Sequence, residues 1–180
     1  MLDIESTRVS LRLFSDGGLI IMSRHWVFLS AAVLAAPFAH AAELPRSGTD
    51  SYSTTYVTSS FLTMKLGERT VTTYDSSGIT RNDAGGPMFN NMGTRCIGMR
   101  EVVGSEALNR GSCIDSDADG DQIFSTYEAK GIKGTHVFIG GTGKYAGISG
   151  TADYTSQSVK SPDGRGMTLV IHQSNWKLSP

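Results

Sequence analysis

From residue 50 onward the chain alternates apolar and polar side chains in short runs, as in Tyr52-Ser53-Thr54, and turn formers interrupt the runs at fairly even intervals. A period of two sends successive side chains to opposite faces of an extended backbone, so the pattern predicts strands rather than helices. Strands are expected near 50–57, 61–66, 69–80, 94–103, 106–115, 121–132, 135–139, 147–158 and 166–177. About eight main strands in an up-and-down order predict an all-β, eight-stranded antiparallel barrel, because closure removes every unpaired edge. The longest irregular stretch, 82–93, is either a loop gating a barrel mouth or a surface excursion.

The front of the chain follows a different pattern. Trp26 to Ala36 is an apolar run behind Arg24 and His25, and it ends in Ala39-His40-Ala41-Ala42. A short apolar segment closed by small residues has the form of a secretory signal peptide and is too short for a permanent span. Residues 1–21 are expected to be a start-site extension, 22–42 the signal peptide and 43–180 a single β-barrel domain. The chain carries 16 basic and 17 acidic residues. Arg8, Arg12 and Arg24 balance Asp3, Glu5 and Asp16 in the leader, so the domain keeps a net charge near −1. A nearly neutral domain without a basic stripe excludes nucleic acid and an anionic membrane surface as natural partners. No membrane insertion is expected, and the protein is placed in the periplasm or secreted.

Gly104-Ser105 has the glycine-first form of a two-residue hairpin turn, which pairs Val103 with Glu106. Counting outward puts Cys96 opposite Cys113 at a non-hydrogen-bonded position, where the backbones come close enough for a disulfide. An oxidising compartment allows the bridge to persist. The competing role, a catalytic or metal-binding cysteine pair, lacks a Cys-x-x-Cys or a nearby histidine. Asp115-Ser116-Asp117-Ala118-Asp119-Gly120 matches the opening of an EF-hand loop, but Thr126 stands where the bidentate glutamate belongs. Asp119-Gly120 is equally the signature of a two-residue hairpin turn. A hairpin and a weak calcium site at its tip both remain open.

Two hairpins taken together place Gly98, Arg100, Gly111, Phe124 and Glu128 on one sheet face. If that face is the lumen, Arg100 and Glu128 form a polar floor and Glu128 is a candidate acid–base group. Facing outward, they are a solvated cross-strand pair. A symmetric turn at Ser161-Pro162-Asp163-Gly164 sets Asp153 against His172, the arrangement of a carboxylate orienting a general base, or else a surface pair. Phe124, Tyr127, Tyr154 and Trp176 are candidate ligand-binding aromatics among those that fill such a barrel. His136 and His172 are the histidines of the domain, and without a cysteine or glutamate at ligand spacing they do not predict zinc. No cofactor and no metal are expected.

Ile139-Gly140-Gly141-Thr142-Gly143-Lys144-Tyr145 suggests a phosphate loop, but polar and β-branched residues follow it where a nucleotide loop needs a helix. The glycines therefore predict a tight crossing between antiparallel strands. Gly140-Gly141-Thr142-Gly143-Lys144-Tyr145 resembles the Gly-Gly-Thr-Gly-Lys-Phe/Tyr segment late in dirigent proteins, and the similar Gly-Gly-Thr-Gly stretch of plant allene oxide cyclases. The resemblance implies a calycin-like barrel that holds a reactive, hydrophobic or aromatic small molecule while it cyclises or couples. It also implies little catalytic machinery and a homo-oligomer, commonly a trimer. The paired cysteines and acidic hairpin map onto neither family, and no catalytic residue carries across. Two functions are expected from this: a small-molecule barrel with isomerase, cyclase or lyase activity, or a non-catalytic carrier or interaction protein with a filled barrel.

Overall fold

The computed structural model describes residues 44–179, so the expected leader lies outside the described residues. Eight strands follow in chain order: β1 (Ser47–Leu66), β2 (Arg69–Asn82), β3 (Met92–Val103), β4 (Glu106–Ser116), β5 (Gln122–Lys130), β6 (Lys133–Gly141), β7 (Ile148–Lys160) and β8 (Gly166–Leu178). Each pairs antiparallel with the next and β8 returns to β1, so the sheet closes into a barrel. The expected segments 50–57 and 61–66 are one strand, bent by a bulge between Thr58 and Ser60. The extra residue reverses the alternation, so Phe61 stands opposite Tyr74 on the lumenal side. Gly131-Ile132, expected at a strand end, is instead the turn between β5 and β6. Among the described residues no helix is long and apolar enough to cross a membrane.

The turn at Gly104-Ser105 pairs Val103 with Glu106 and Cys96 with Cys113, and a disulfide joins the two cysteines. Neither described cysteine is free. Removing a cross-link frees the unfolded chain, so replacing both cysteines by alanine is expected to destabilise the barrel by about 2–4 kcal/mol. Urea unfolding of the double variant checks this, and an unchanged midpoint contradicts it.

The acidic hairpin is not a two-residue turn. Asp117 and Asp121 close a wider loop through a backbone bond of 3.0 Å, and Asp117 Oδ1 accepts from the N–H groups of Asp119 and Asp121 at 2.9 and 3.0 Å. Short aspartates stabilise such turns by bonding to nearby backbone N–H groups. The wider loop moves the register by one residue. Gly111 faces Tyr127 rather than Glu128, and Cys113 faces Ser125 rather than Thr126. One step of slip turns over every side chain of β5.

Glycine loop and acidic hairpin clasp one another at the same barrel end. Lys144 Nζ lies 2.6 Å from Asp117 Oδ2 and 2.6 Å from Asp119 Oδ2, and its backbone N–H donates to Asp121 Oδ2 at 3.1 Å. A Cβ on Gly143 would fall 1.8 Å from Asp121 Oδ1, and its φ of +51° is itself one that glycine tolerates best. Burial acts to raise the Asp117 pKa, but bonds from Lys144, Tyr145 and backbone N–H groups outweigh it and hold it below the ordinary value. The carboxylates that suggested a calcium loop thus hold the chain's own ammonium. The crossing from β6 to β7 is a single 3₁₀ turn, Gly143–Tyr145, as a strand-to-strand link requires.

At this end the lumen is packed shut. Met88, Phe89, Met92, Ile123, Phe138, Trp176 and Leu178 are among its buried members. The irregular stretch after β2 is therefore a plug and not a gate: Phe89 stacks on Tyr52 at 4.4 Å and on Phe138 at 5.3 Å. Asn82 fastens the plug, donating to Met88 O at 2.9 Å and accepting at Oδ1 from Ala84 and Gly86. Trp176 Nε1 donates to Asp50 Oδ2 at 2.6 Å, which satisfies the indole in this core.

Candidate functional site

Above the packed half, the lumen opens toward the tight hairpin tips as a cavity of about 450 Å³. That volume suits a small organic molecule. Alternation on each strand supplies the wall: Tyr56 from β1, Tyr74 and Ser76 from β2, Cys96 and Arg100 from β3, Asn109 and Cys113 from β4, Tyr127 and Ala129 from β5, His136 from β6, Tyr154 from β7, and Val170 from β8. The bridged cysteines are thus part of the wall, and the Tyr56 hydroxyl lies 3.4 Å from Cys96 Sγ.

Glycines make room for the phenols. A Cβ on Gly98 would lie 2.1 Å from the Tyr127 hydroxyl and 2.5 Å from that of Tyr74, and one on Gly134 would lie 2.5 Å from the Tyr154 ring. Tyr74 donates to Asn109 Oδ1 at 2.7 Å. Its proton being committed there, Tyr127 donates to the Tyr74 oxygen in a very short contact. The Tyr154 hydroxyl has no hydrogen-bond partner among the described residues. Burial raises the pKa of Tyr74, Tyr127 and Tyr154, so all three are neutral donors near neutral pH.

His136 forms the floor, its ring 5.2 Å from Tyr127, 5.1 Å from Tyr154 and 5.3 Å from His172 beneath. Burial holds its pKa down to about 3, with His172 adding to the effect. His172 stacks on Tyr52 at 4.2 Å, and its Nδ1 lies 3.3 Å from the Tyr52 carbonyl. A carbonyl only accepts, so Nδ1 carries the proton and Nε2 keeps a lone pair. Burial lowers its pKa to about 4, the Tyr52 bond opposing. Ser125 Oγ lies 3.1 Å from His136 Nδ1, but Ser125 is fully buried and not among the cavity-lining residues. A serine out of contact with the cavity beside a weakly basic imidazole is no nucleophile.

A carboxylate does sit inside the wall, though it is not Glu128. Thr94 donates to Asp115 Oδ1, and the hydroxyl chain continues from Thr94 to Thr80 at 2.6 Å and from Thr80 to Thr54 at 2.7 Å. Burial raises the Asp115 pKa to about 6, against the hydrogen bonds from Thr94 and Thr80.

The predicted site residues are divided by this geometry. Arg100, Tyr127 and Tyr154 line the cavity. His172 lies in the lumen below it, and Trp176 belongs to the plugged end. Glu128 is exposed opposite Arg110, and Phe124 lies opposite Ile114 on the outer face, both turned over by the wider acidic loop. Asp153 faces Gln173 and is exposed, accepting from Thr135 Oγ1 at 2.7 Å; His172 pairs with Tyr154 instead. The cause is a last turn of five residues, 161–165, rather than four. Asn109, Asp115 and the cavity placement of His136 were missed. The glycine-first turn at Gly131-Ile132 was the available signal for His136, because it sets Tyr127 opposite that residue.

No family model and no curated protein sequence matches the chain. Among solved structures it is similar to a pterocarpan synthase dirigent protein, at 13% identity and a TM-score of 0.47, over 76% of this chain and 89% of that one. That likeness, like the resemblance of the glycine segment, is one of fold alone.

Proposed function

We propose that this is an exported barrel that binds a small apolar or aromatic molecule in its lumen and acts on it by isomerisation, cyclisation or elimination. The observation that supports it is the division of the lumen: one half is plugged by side chains, while the other is an open cavity walled by Tyr56, Tyr74, Tyr127, Tyr154 and a neutral His136. Neutral phenols and imidazole donate or accept single hydrogen bonds and protons without a buried charge opposing an apolar guest. With both cysteines bridged, covalent catalysis by thiolate has no group to perform it. The half-empty lumen favours this over a carrier with a filled barrel. Export rests on the leader, and the disulfide is compatible with it. A homo-oligomer would have the apolar outer patch of Ile97, Ile114, Val137 and Ile139 to bury.

The test is binding of N-phenyl-1-naphthylamine, whose fluorescence rises in apolar surroundings. The wild-type protein is expected to bind it. Ala129→Trp and Ser156→Trp, which fill the cavity, should each weaken binding by about tenfold or more while still unfolding cooperatively. Absence of binding to the wild type, or binding unaffected by both substitutions, refutes the lumen as the site.

A further inference from the structure

The charges at the cavity all have one sign. Of the side chains that line it, Arg100 alone is charged at neutral pH, because burial keeps His136 neutral and Asp115, bonded to Thr94 and Thr80 two residues further along β4 than Cys113, is not among the lining residues. Arg100 forms no ion pair among the described residues, unlike Arg69, which is held by Glu101 at 2.7 Å. It stands directly across β3 and β4 from Asn109, and its charge acts on the Tyr74 phenol that Asn109 binds. The hairpin tips around the mouth repeat the sign. Among the described residues Lys65, Lys130, Lys133 and Lys160 form no ion pair there, against Glu68 and Glu106. Below the mouth, the unpartnered Tyr154 hydroxyl and the rings of Tyr127 and His136 form an uncharged aromatic chamber.

We infer that the ligand is a flat aromatic monoanion, bound with its carboxylate at Arg100 and Asn109 in the mouth and its ring in the chamber against Tyr127, Tyr154 and His136. This deepens the proposed function and rests on it. Arg100 and Asn109 are directly paired across β3 and β4, and the guanidinium and the amide both offer N–H donors to a carboxylate. The lysine-rich rim draws anions toward the mouth and leaves cations without a counter-charge. A free amine or a neutral ring of the same size gains nothing from Arg100.

Three probes of nearly equal shape separate the possibilities: 2-naphthoate, 2-naphthamide and 2-naphthylmethylammonium, titrated calorimetrically at pH 7. Naphthoate is expected to bind about tenfold more tightly than the amide, and the ammonium most weakly. Arg100→Met should remove that preference, naphthoate losing about tenfold more affinity than naphthamide, and Arg100→Lys should keep part of it. Raising the salt concentration should weaken naphthoate alone. Equal affinity for naphthoate and naphthamide, or an equal loss of both in Arg100→Met, overturns the anion site and leaves the cavity intact. If none of the three binds, the lumenal binding reading fails and this inference falls with it.

Discussion

Gly111→Ala is expected to cost about 3 kcal/mol or more, a larger loss than Gly98→Ala beside it. A Cβ at this position would lie 2.3 Å from the Ile97 carbonyl oxygen, 2.7 Å from the Gly98 Cα and 2.5 Å from the Tyr127 hydroxyl. Two of those three atoms are backbone in a closed barrel, where a strand cannot move aside without disturbing both neighbours. Overpacking of this kind costs typically 1–3 kcal/mol even where side chains can yield. Gly98→Ala sets the lower bound: its Cβ meets the ends of Tyr127 and Tyr74, which can swing toward the cavity. It should therefore cost about 1–3 kcal/mol and weaken binding of apolar probes in the same step. Gly93→Ala is the control, since its nearest contact is Ser116 O at 3.9 Å. Alanine there relieves the entropy of glycine and should be neutral or stabilising by up to about 1 kcal/mol. Urea midpoints for the three variants give the order directly, and equal effects at Gly111 and Gly93 would refute the packing argument.

Those glycines also mark how far the sequence carried and where it stopped. Strand alternation and edge closure were enough for the barrel, because both are properties of residue order alone. The Gly104-Ser105 turn then gave the disulfide, since a glycine-first two-residue turn admits one register. Gly67-Glu68 and Gly131-Ile132 obey the same rule, each with a glycine at positive φ, and all three lie at the open end. At the plugged end the rule fails. Asp119-Gly120 looks like a two-residue turn in isolation, yet Asp117 bonds the backbone of two later residues and Lys144 bridges Asp117 to Asp119. That widening depends on a lysine more than 20 residues downstream, which no local signal contains. The one-residue widening sends Glu128 outward and brings Tyr127 in. The glycines expected to accommodate a carboxylate accommodate two phenols instead. Asp115 stayed hidden for a related reason: it was read as the first ligand of an acidic turn, while alternation places it last on the lumenal face of β4, beside Thr94 and Thr80.

Asp115→Asn is expected to stabilise the protein at pH 8 by on the order of 3 kcal/mol and to have little effect at pH 4. The carboxyl group is enclosed even though the residue as a whole is half-buried, and its pKa is raised to about 6 from an ordinary 3.8. A raised acid holds its proton in the folded state over a range where the unfolded chain has lost it. The stability it contributes is complete below pH 3.8 and is lost as pH rises through about 6. His136 and His172 act in the opposite sense. Their folded pKa values, about 3 and about 4, lie below the ordinary 6.5, so the unfolded chain takes up their protons first as pH falls. The stability they contribute is present above pH 6.5 and is lost as pH falls toward those folded values. Each group changes stability by about 1.4 kcal/mol per pH unit in its window. Between pH 6 and pH 4 two histidines oppose one carboxylate, and the wild type should lose about 1.4 kcal/mol per unit on acidification, apart from surface groups. In Asp115→Asn the opposing contribution is gone, so the loss should steepen to about twice that. His136→Gln should flatten it instead. Urea midpoints measured from pH 4 to pH 8 at constant ionic strength separate the three slopes, and parallel curves for wild type and Asp115→Asn would mean that Asp115 is not desolvated in the wall.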